Sequence, residues 1–174
     1  PLFRSSINPL SDPNGDGFNS DTHLVLNGST LECWYRYVSA TDATPRVESI
    51  RRRTTTDGVT WTSEEVIYTT SNNYGNISHI MSPAVITENS KYCIWCVYMD
   101  SDDIWIDYYE APLTNVYSWT KVRSIVIDWY DGSKQVYPWH LDVIKDNGQY
   151  IMIVNCRDGQ LLTDNIASQF IAIE

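Results

Sequence analysis

Three stretches of the chain repeat one pattern: SDTHLVLNGSTLECWYRY at Ser20–Tyr37, SPAVITENSKYCIWCVY at Ser82–Tyr98 and WHLDVIKDNGQYIMIVNC at Trp139–Cys156. Superimposed, they put Trp34, Trp95 and Ile153 in one column, with steps of 61 and 58 residues. A second landmark keeps the step: TTDGVTW ends at Trp61 and LTNVYSW ends at Trp119, 58 residues on. Self-similarity at a fixed period marks a repeat architecture, in which each unit buries its apolar face against the next.

Within each unit, apolar and polar residues alternate with period two, the pattern of half-buried strands. The first unit reads as strands at 24–26, 31–38, 46–53 and 65–69, and the second as strands at 84–87, 92–99, 104–110 and 121–127. The third reads as 141–144, 150–156 and 166–173, without a fourth strand. Four-stranded antiparallel units in series, with a tryptophan after a turn, describe the blades of a β-propeller, which removes exposed edges by radial closure. A β-sandwich of short strands is the alternative, but it does not require equal spacing. The fold class expected is therefore all-β, with about three blades at roughly 7–70, 78–127 and 136–174 in one domain over 1–174. Propellers need at least four blades. With no initiator methionine at Pro1, the reading is a fragment, a processed product, or a ring completed by another segment or chain.

Composition narrows the partners. The chain is 43% hydrophobic and 13% aromatic, enough for a core. No apolar run approaches the ~20 residues of a membrane span, so no membrane partner is expected. A net charge of −10 opposes nucleic acid, whose affinity rests on cationic contacts to phosphates. The one basic run, Arg51-Arg52-Arg53, lies in a strand whose alternation sends Arg52 to one face and its neighbours to the other, where they are expected to be solvated or salt-bridged rather than a binding patch. Cys33, Cys93, Cys96 and Cys156 all fall in second strands. Cys93 and Cys96 form a CxxC, but residues i and i+3 of a strand point to opposite faces, so they are read as free buried thilos of a chain made in a reducing cytosol rather than as zinc ligands.

Asp57-Gly58-Val59-Thr60-Trp61 resembles the Asp-box of sialidases and related propellers, a hairpin whose Asp caps the turn and whose Trp plugs the gap between blades. Its role is structural. Asp12, Asn14 and Asp16, with Gly17, match the first half of a calcium loop, yet the twelfth position is His23 instead of a bidentate Glu. No cofactor is expected, with calcium at Asp12, Asn14 and Asp16 the one candidate.

Propeller ligands sit at a mouth of the central channel, near the starts of innermost strands. Those positions hold Asp21 and His23, then His79, Ser82 and Pro83, then Trp139, His140 and Asp142. All three histidines of the chain are among them. Two loops that feed this mouth add Tyr74, Trp129 and Tyr130. Hydroxyl-pairing amides and carboxylates beside flat aromatic rings suit sugars, although aromatic loops also serve protein partners.

The chain resembles the five-bladed propellers of glycoside hydrolase families 43 and 32, with Asp21-Thr22-His23-Leu24-Val25 where those enzymes start their first blade with an Asp. Ser82-Pro83-Ala84-Val85 and Trp139-His140-Leu141-Asp142-Val143 resemble the starts of later blades. It is also similar to propeller domains in receptor-binding tail proteins of phages of Gram-positive bacteria. The resemblance implies, for an enzyme, Asp21 as general base and Asp142 as second carboxylate. The place of a general acid reads Ser82-Pro83-Ala84-Val85, so a glycan binder without catalysis is expected. Glycoside hydrolase and structural tail-fibre platform are the alternatives. The same resemblance implies a bacterial surface glycan as partner, a homo-oligomer as candidate assembly, and a virion-tail or extracellular location after cytoplasmic synthesis.

Overall fold

The structure, a computed structural model, describes residues 17–39, 46–72, 79–100, 103–125, 129–131, 134–158 and 166–173. Among these residues every regular element is a strand, and no helix is long and apolar enough to cross a membrane. Three antiparallel four-stranded sheets form. Blade 1 runs β1 (Phe18–Asn27), β2 (Thr30–Val38), β3 (Arg46–Thr55), β4 (Glu65–Asn72). Blade 2 runs β5 (His79–Glu88), β6 (Lys91–Met99), β7 (Ile104–Pro112), β8 (Thr120–Ile125). Blade 3 is ordered β12 (Ile166–Ile173), β11 (Gln149–Asp158), β10 (Lys134–Asp146), β9 (Trp129–Asp131). The sheets do not close into a ring among the described residues, which makes them three blades of an open propeller.

Blade 3 departs from its expected three strands. Its extra strand β9 pairs with the start of β10, Trp129 opposite Val136, so it is not the counterpart of β4 or β8. Residues 129–131, expected in a loop, are too few to display an alternation of period two. The repeat itself is visible in the hairpins. Asn27 pairs with Thr30, Glu88 with Lys91 and Asp146 with Gln149, leaving two-residue loops at equivalent places. Asn89 and Ser90 both have positive φ, as do Asn147 and Gly148, the conformation that matches a hairpin's twist.

The inner strands β1, β5 and β10 lie side by side with β5 in the middle. They extend further toward their N-termini than alternation indicates, because each contains a register shift: between Ser20 and His23, between Met81 and Ala84, and between Pro138 and His140. A bulge adds a residue to one strand and reverses the facing of those beyond it, which hides a strand from period-two reading.

Each blade buries one face on its neighbour. Val25, Trp34, Ile50 and Ile67 of blade 1 pack on Ile80, Val85, Ile94 and Tyr109 of blade 2. The opposite face of blade 2, with Ala84, Trp95 and Ile106, packs on Leu141, Val143, Met152 and Val154 of blade 3. Cys93 belongs to the second of these cores and Cys96 to the first. The CxxC therefore diverges, and all four cysteines are buried and free. Between blades 1 and 2 a buried polar knot adds to the apolar contact: Glu32 accepts the Trp34 Nε1–H at 2.9 Å and the Tyr92 hydroxyl at 2.8 Å. Arg52 donates to the Tyr92 oxygen at 2.9 Å and pairs with Glu65 at 2.8 Å.

The Asp-box turn is built as its sequence indicates. Asp57 Oδ1 accepts the amides of Thr60 at 2.7 Å and Val59 at 2.8 Å, which hold its carboxyl well below the usual range. Gly58 takes φ of 72°. In blade 2 the equivalent Trp119 stacks on Tyr68 of blade 1 with centroids 5.1 Å apart, filling the inter-blade gap. Trp34 is wholly enclosed between two blades. Trp34→Ala should therefore lower unfolding free energy by about 3–5 kcal/mol, the cost of an uncollapsed aromatic cavity, measured by urea denaturation.

Candidate functional site

The three bulges meet at one end of the inner strands and surround a cavity of about 200 Å³, lined by Asp21, Thr22, His23, Ser82, Pro83, His140, Leu141 and Asp142. Every blade contributes. Asp21 and Ser82 occupy equivalent bulge positions with φ of 55° and 49°. Left-handed backbone at a non-glycine residue is disfavoured and concentrates where surrounding contacts enforce it. Here it turns both side chains out of the strand alternation and toward the cavity.

Asp21 is the common contact. Its Oδ1 lies 3.0 Å from His140 Nδ1 of blade 3. Its Oδ2 accepts the Ser82 amide of blade 2 at 3.3 Å and the Ser20 hydroxyl at 3.2 Å, with Arg36 Nη1 at 3.9 Å. Burial alone would raise its pKa. The hydrogen bond and charge of His140, the Arg36 guanidinium and the Ser82 N–H together outweigh burial and hold the carboxyl below the usual range. Asp21 is thus an anion, suited to accept hydrogen bonds or a proton and unsuited to donate one.

A second acid–imidazole pair crosses the same gap: His23 Nδ1 lies 3.3 Å from Asp142 Oδ1, while its Nε2 lies 3.0 Å from the Val85 carbonyl. His140 is held through Nδ1. With that nitrogen donating to Asp21, its Nε2 is the ring's acceptor in the neutral tautomer. Ser82 Oγ sits 2.8 Å from the same Nδ1 and 3.2 Å from the Trp139 carbonyl. A nucleophilic serine needs the base nitrogen remote from the carboxylate. Ser82 touches the nitrogen already committed to Asp21, so Ser82, His140 and Asp21 are not a nucleophilic triad.

Behind the cavity lies a buried charge cluster. Glu48, fully enclosed, pairs with Arg36 at 2.8 Å, Arg46 at 3.2 Å and His79 Nδ1 at 2.5 Å, and accepts the Ile80 amide at 3.3 Å. Burial would raise Glu48. Hydrogen bonding to His79 and the charges of Arg36 and His79 prevail and lower it. Arg36 bridges this cluster to Asp21.

Of the residues predicted for the mouth, Asp21, His23, His140 and Asp142 come together in the cavity, and Trp139 sets its ring edge-on to His140 with centroids 6.1 Å apart. His79 is not in the lining; it is buried on Glu48. Trp129 and Tyr130 lie in β9 with side chains outside the described residues, as are Tyr74 and the calcium-loop candidates Asp12, Asn14 and Asp16. Arg36 and Glu48 reach the site from the second and third strands of blade 1, positions that a reading of inner-strand starts does not include. The available signal was register: Arg36 shares the buried face of Trp34 two residues earlier, and a buried arginine requires a buried acid.

No protein-family model and no curated protein matches the chain. Among solved structures it is similar to an N-acetylgalactosamine deacetylase from F. plautii in complex with blood group B trisaccharide, with TM-score 0.69 and 14% identity over 96% of this chain and 52% of that one. It is also similar to a glycosyl hydrolase from Bacteroides ovatus, with TM-score 0.54 and 14% identity over 90% of this chain and 49% of that one. The chain thus spans about half the length of each, and the likeness is one of fold.

Glu48 and Asp21 both titrate lower folded than unfolded, so the native state binds fewer protons. Their contribution to stability is intact above the ordinary carboxylate range near pH 4 and is lost as pH falls through it toward the folded values. Urea midpoints should therefore fall on acidification. Glu48→Gln should start about 3–5 kcal/mol lower at pH 7, because it takes from the buried Arg36 its closest ion-pair partner, and should show a shallower acid slope.

Proposed function

We propose that the chain is a carbohydrate-binding propeller that holds a glycan at the three-blade cavity without cleaving it. The observation that carries this reading is the setting of Asp21: its carboxylate lies 3.0 Å from His140 Nδ1, accepts the Ser82 amide at 3.3 Å and has Arg36 Nη1 at 3.9 Å, neighbours that favour its ionised form. An ionised Asp21 fits only the base of a glycosidic cleavage, which also calls for a second carboxyl kept protonated as general acid. The other carboxyl of the lining, Asp142, has its side chain 58% exposed and faces His23 Nδ1 at 3.3 Å, not the enclosed site an acid needs. Anionic oxygens and an imidazole nitrogen available as acceptors are what sugar hydroxyls seek. A volume of about 200 Å³ falls under the ~300–1,000 Å³ of drug-sized pockets, in keeping with one small ring of a longer glycan. The likeness in fold to two carbohydrate-acting proteins supports the same substrate class. The setting we infer, adhesion to a bacterial surface by a phage tail, rests on the resemblance of the blade starts in the sequence.

One observation favours hydrolysis as the second reading. Asp21 orients His140 so that Nε2 is a base, an arrangement able to activate water. Proton NMR separates the two readings. Wall polysaccharides, teichoic acids and blood group B trisaccharide are titrated with protein, and line widths are followed together with anomeric and acetyl signals. Broadening without new signals is expected. New anomeric signals or free acetate growing with time would replace binding by hydrolysis. In the same assay His140→Ala should weaken binding about 10–100-fold, the worth of one or two hydrogen bonds to charged or oriented groups, with the fold checked by circular dichroism.

A further inference from the structure

Among the described residues, neither apolar core contains side chains of both blade 1 and blade 3. One core draws on blades 1 and 2, the other on blades 2 and 3. Blades 1 and 3 meet across the cavity through a reciprocal set of acid–imidazole contacts. Asp21 and His23, two residues apart on β1, face His140 and Asp142, two residues apart on β10, at 3.0 and 3.3 Å. Apolar packing is indifferent to pH. These two contacts are not, because imidazole changes its charge between about pH 5 and 8.

The pairs differ in what they lose with a proton. His140 turns Nδ1 to Asp21, and its neutral ring still donates through that nitrogen. His23 has an oxygen at each end: Asp142 Oδ1 lies 3.3 Å from Nδ1 and the Val85 carbonyl 3.0 Å from Nε2. A carbonyl only accepts, so both contacts are met by the imidazolium alone, and either neutral tautomer sets a bare lone pair against an oxygen. Val85 is buried, whereas the Asp142 side chain is 58% exposed. Water can replace the ring at Asp142 and cannot at Val85, so the neutral ring keeps its proton on Nε2 and gives up Asp142. The charged groups about the ring are Asp21 on its own strand and His140 and Asp142 on β10. Behind Asp21 stands Arg36 of β2, paired with Glu48 of β3, which in turn holds His79 of β5. Otherwise β5 meets the ring with Ser82, Pro83 and the Val85 carbonyl.

We propose that His23 is a proton-operated latch on the cavity: charged, it ties Asp142 of blade 3 to Val85 of blade 2, and on losing a proton it releases Asp142 from the lining. The latch holds where His23 is charged and Asp142 ionised, below the histidine range and above the carboxylate range. It opens as pH rises. Its consequence for ligand binding rests on the glycan reading of the same cavity.

Long-range proton–nitrogen NMR of the histidine rings, followed from about pH 5 to pH 9, tests the latch without any ligand. At the acid end both His23 nitrogens should carry protons. As pH rises the proton should remain on Nε2, and the Val143 amide, which donates to Asp142 Oδ1 at 2.8 Å, should shift in step. In Asp142→Asn, a near-isosteric change at an exposed side chain, circular dichroism should be unchanged and the Val143 amide should lose that response while His23 still titrates. A neutral His23 that keeps its proton on Nδ1, or a Val143 amide that follows His23 equally in both proteins, overturns the latch. Binding is measured separately with blood group B trisaccharide as probe. Affinity should fall about tenfold from pH 6 to pH 8, the worth of one hydrogen bond to a charged group, and by less than about threefold in Asp142→Asn. An equal fall in both proteins overturns the coupling of latch to ligand. Absence of binding at every pH counts against the glycan reading, and the ring titration then decides the latch alone.

Discussion

One carboxylate, that of Asp21, touches all three blades. It accepts the Ser82 amide from blade 2, meets the His140 ring of blade 3 and faces the Arg36 guanidinium of its own blade. The apolar interfaces determine which faces of the blades meet, but they are non-directional. Directionality at the cavity end comes from these polar contacts, which require each inner strand to arrive in one register. A buried anion that must be paired penalises every other arrangement.

That requirement explains the bulges. An inner strand in regular alternation would point Asp21 along its neighbours' pattern instead of into the cavity. The left-handed residues at Asp21 and Ser82 re-aim both side chains at a cost of order 1–3 kcal/mol each. The strain is held in place by bonds that exist only in the bulged form: the Ser82 amide to Asp21, and the Ser82 hydroxyl to the Trp139 carbonyl. Fold and site thus depend on the same local distortion. The Glu48 cluster extends the constraint inward, since Arg36 holds its position at Asp21 by pairing with a fully buried glutamate.

How much of this was legible in the sequence follows from what period-two reading detects. Second and third strands, such as β2 and β6, alternate without interruption and were readable to within a residue or two. The divergence of Cys93 and Cys96 followed from the same geometry. Inner strands were only half readable, because a bulge at Asp21 or Ser82 shifts the phase within the strand. The convergence of Asp21, His23, His140 and Asp142 was still legible, since equivalent places in a repeat meet at one end of the inner strands. His79 followed the same logic but falls three residues before its bulge, where it turns to Glu48 instead of the cavity. The buried facing of Arg36 was legible from Trp34 two residues before it, but which acid it meets, Glu48, depends on the pairing of β2 with β3, and no local pattern encodes that.

The central claim is that the cavity centred on Asp21 holds the ligand. Its most direct test is to follow the backbone amide of Ser82 and the imidazole resonances of His23, His79 and His140 while a glycan that broadens in solution is added. The account predicts saturable shifts at Ser82, His23 and His140, with little change at His79, which is buried on Glu48 outside the lining. Saturation of binding with all of these resonances unmoved would place the ligand elsewhere and contradict the account.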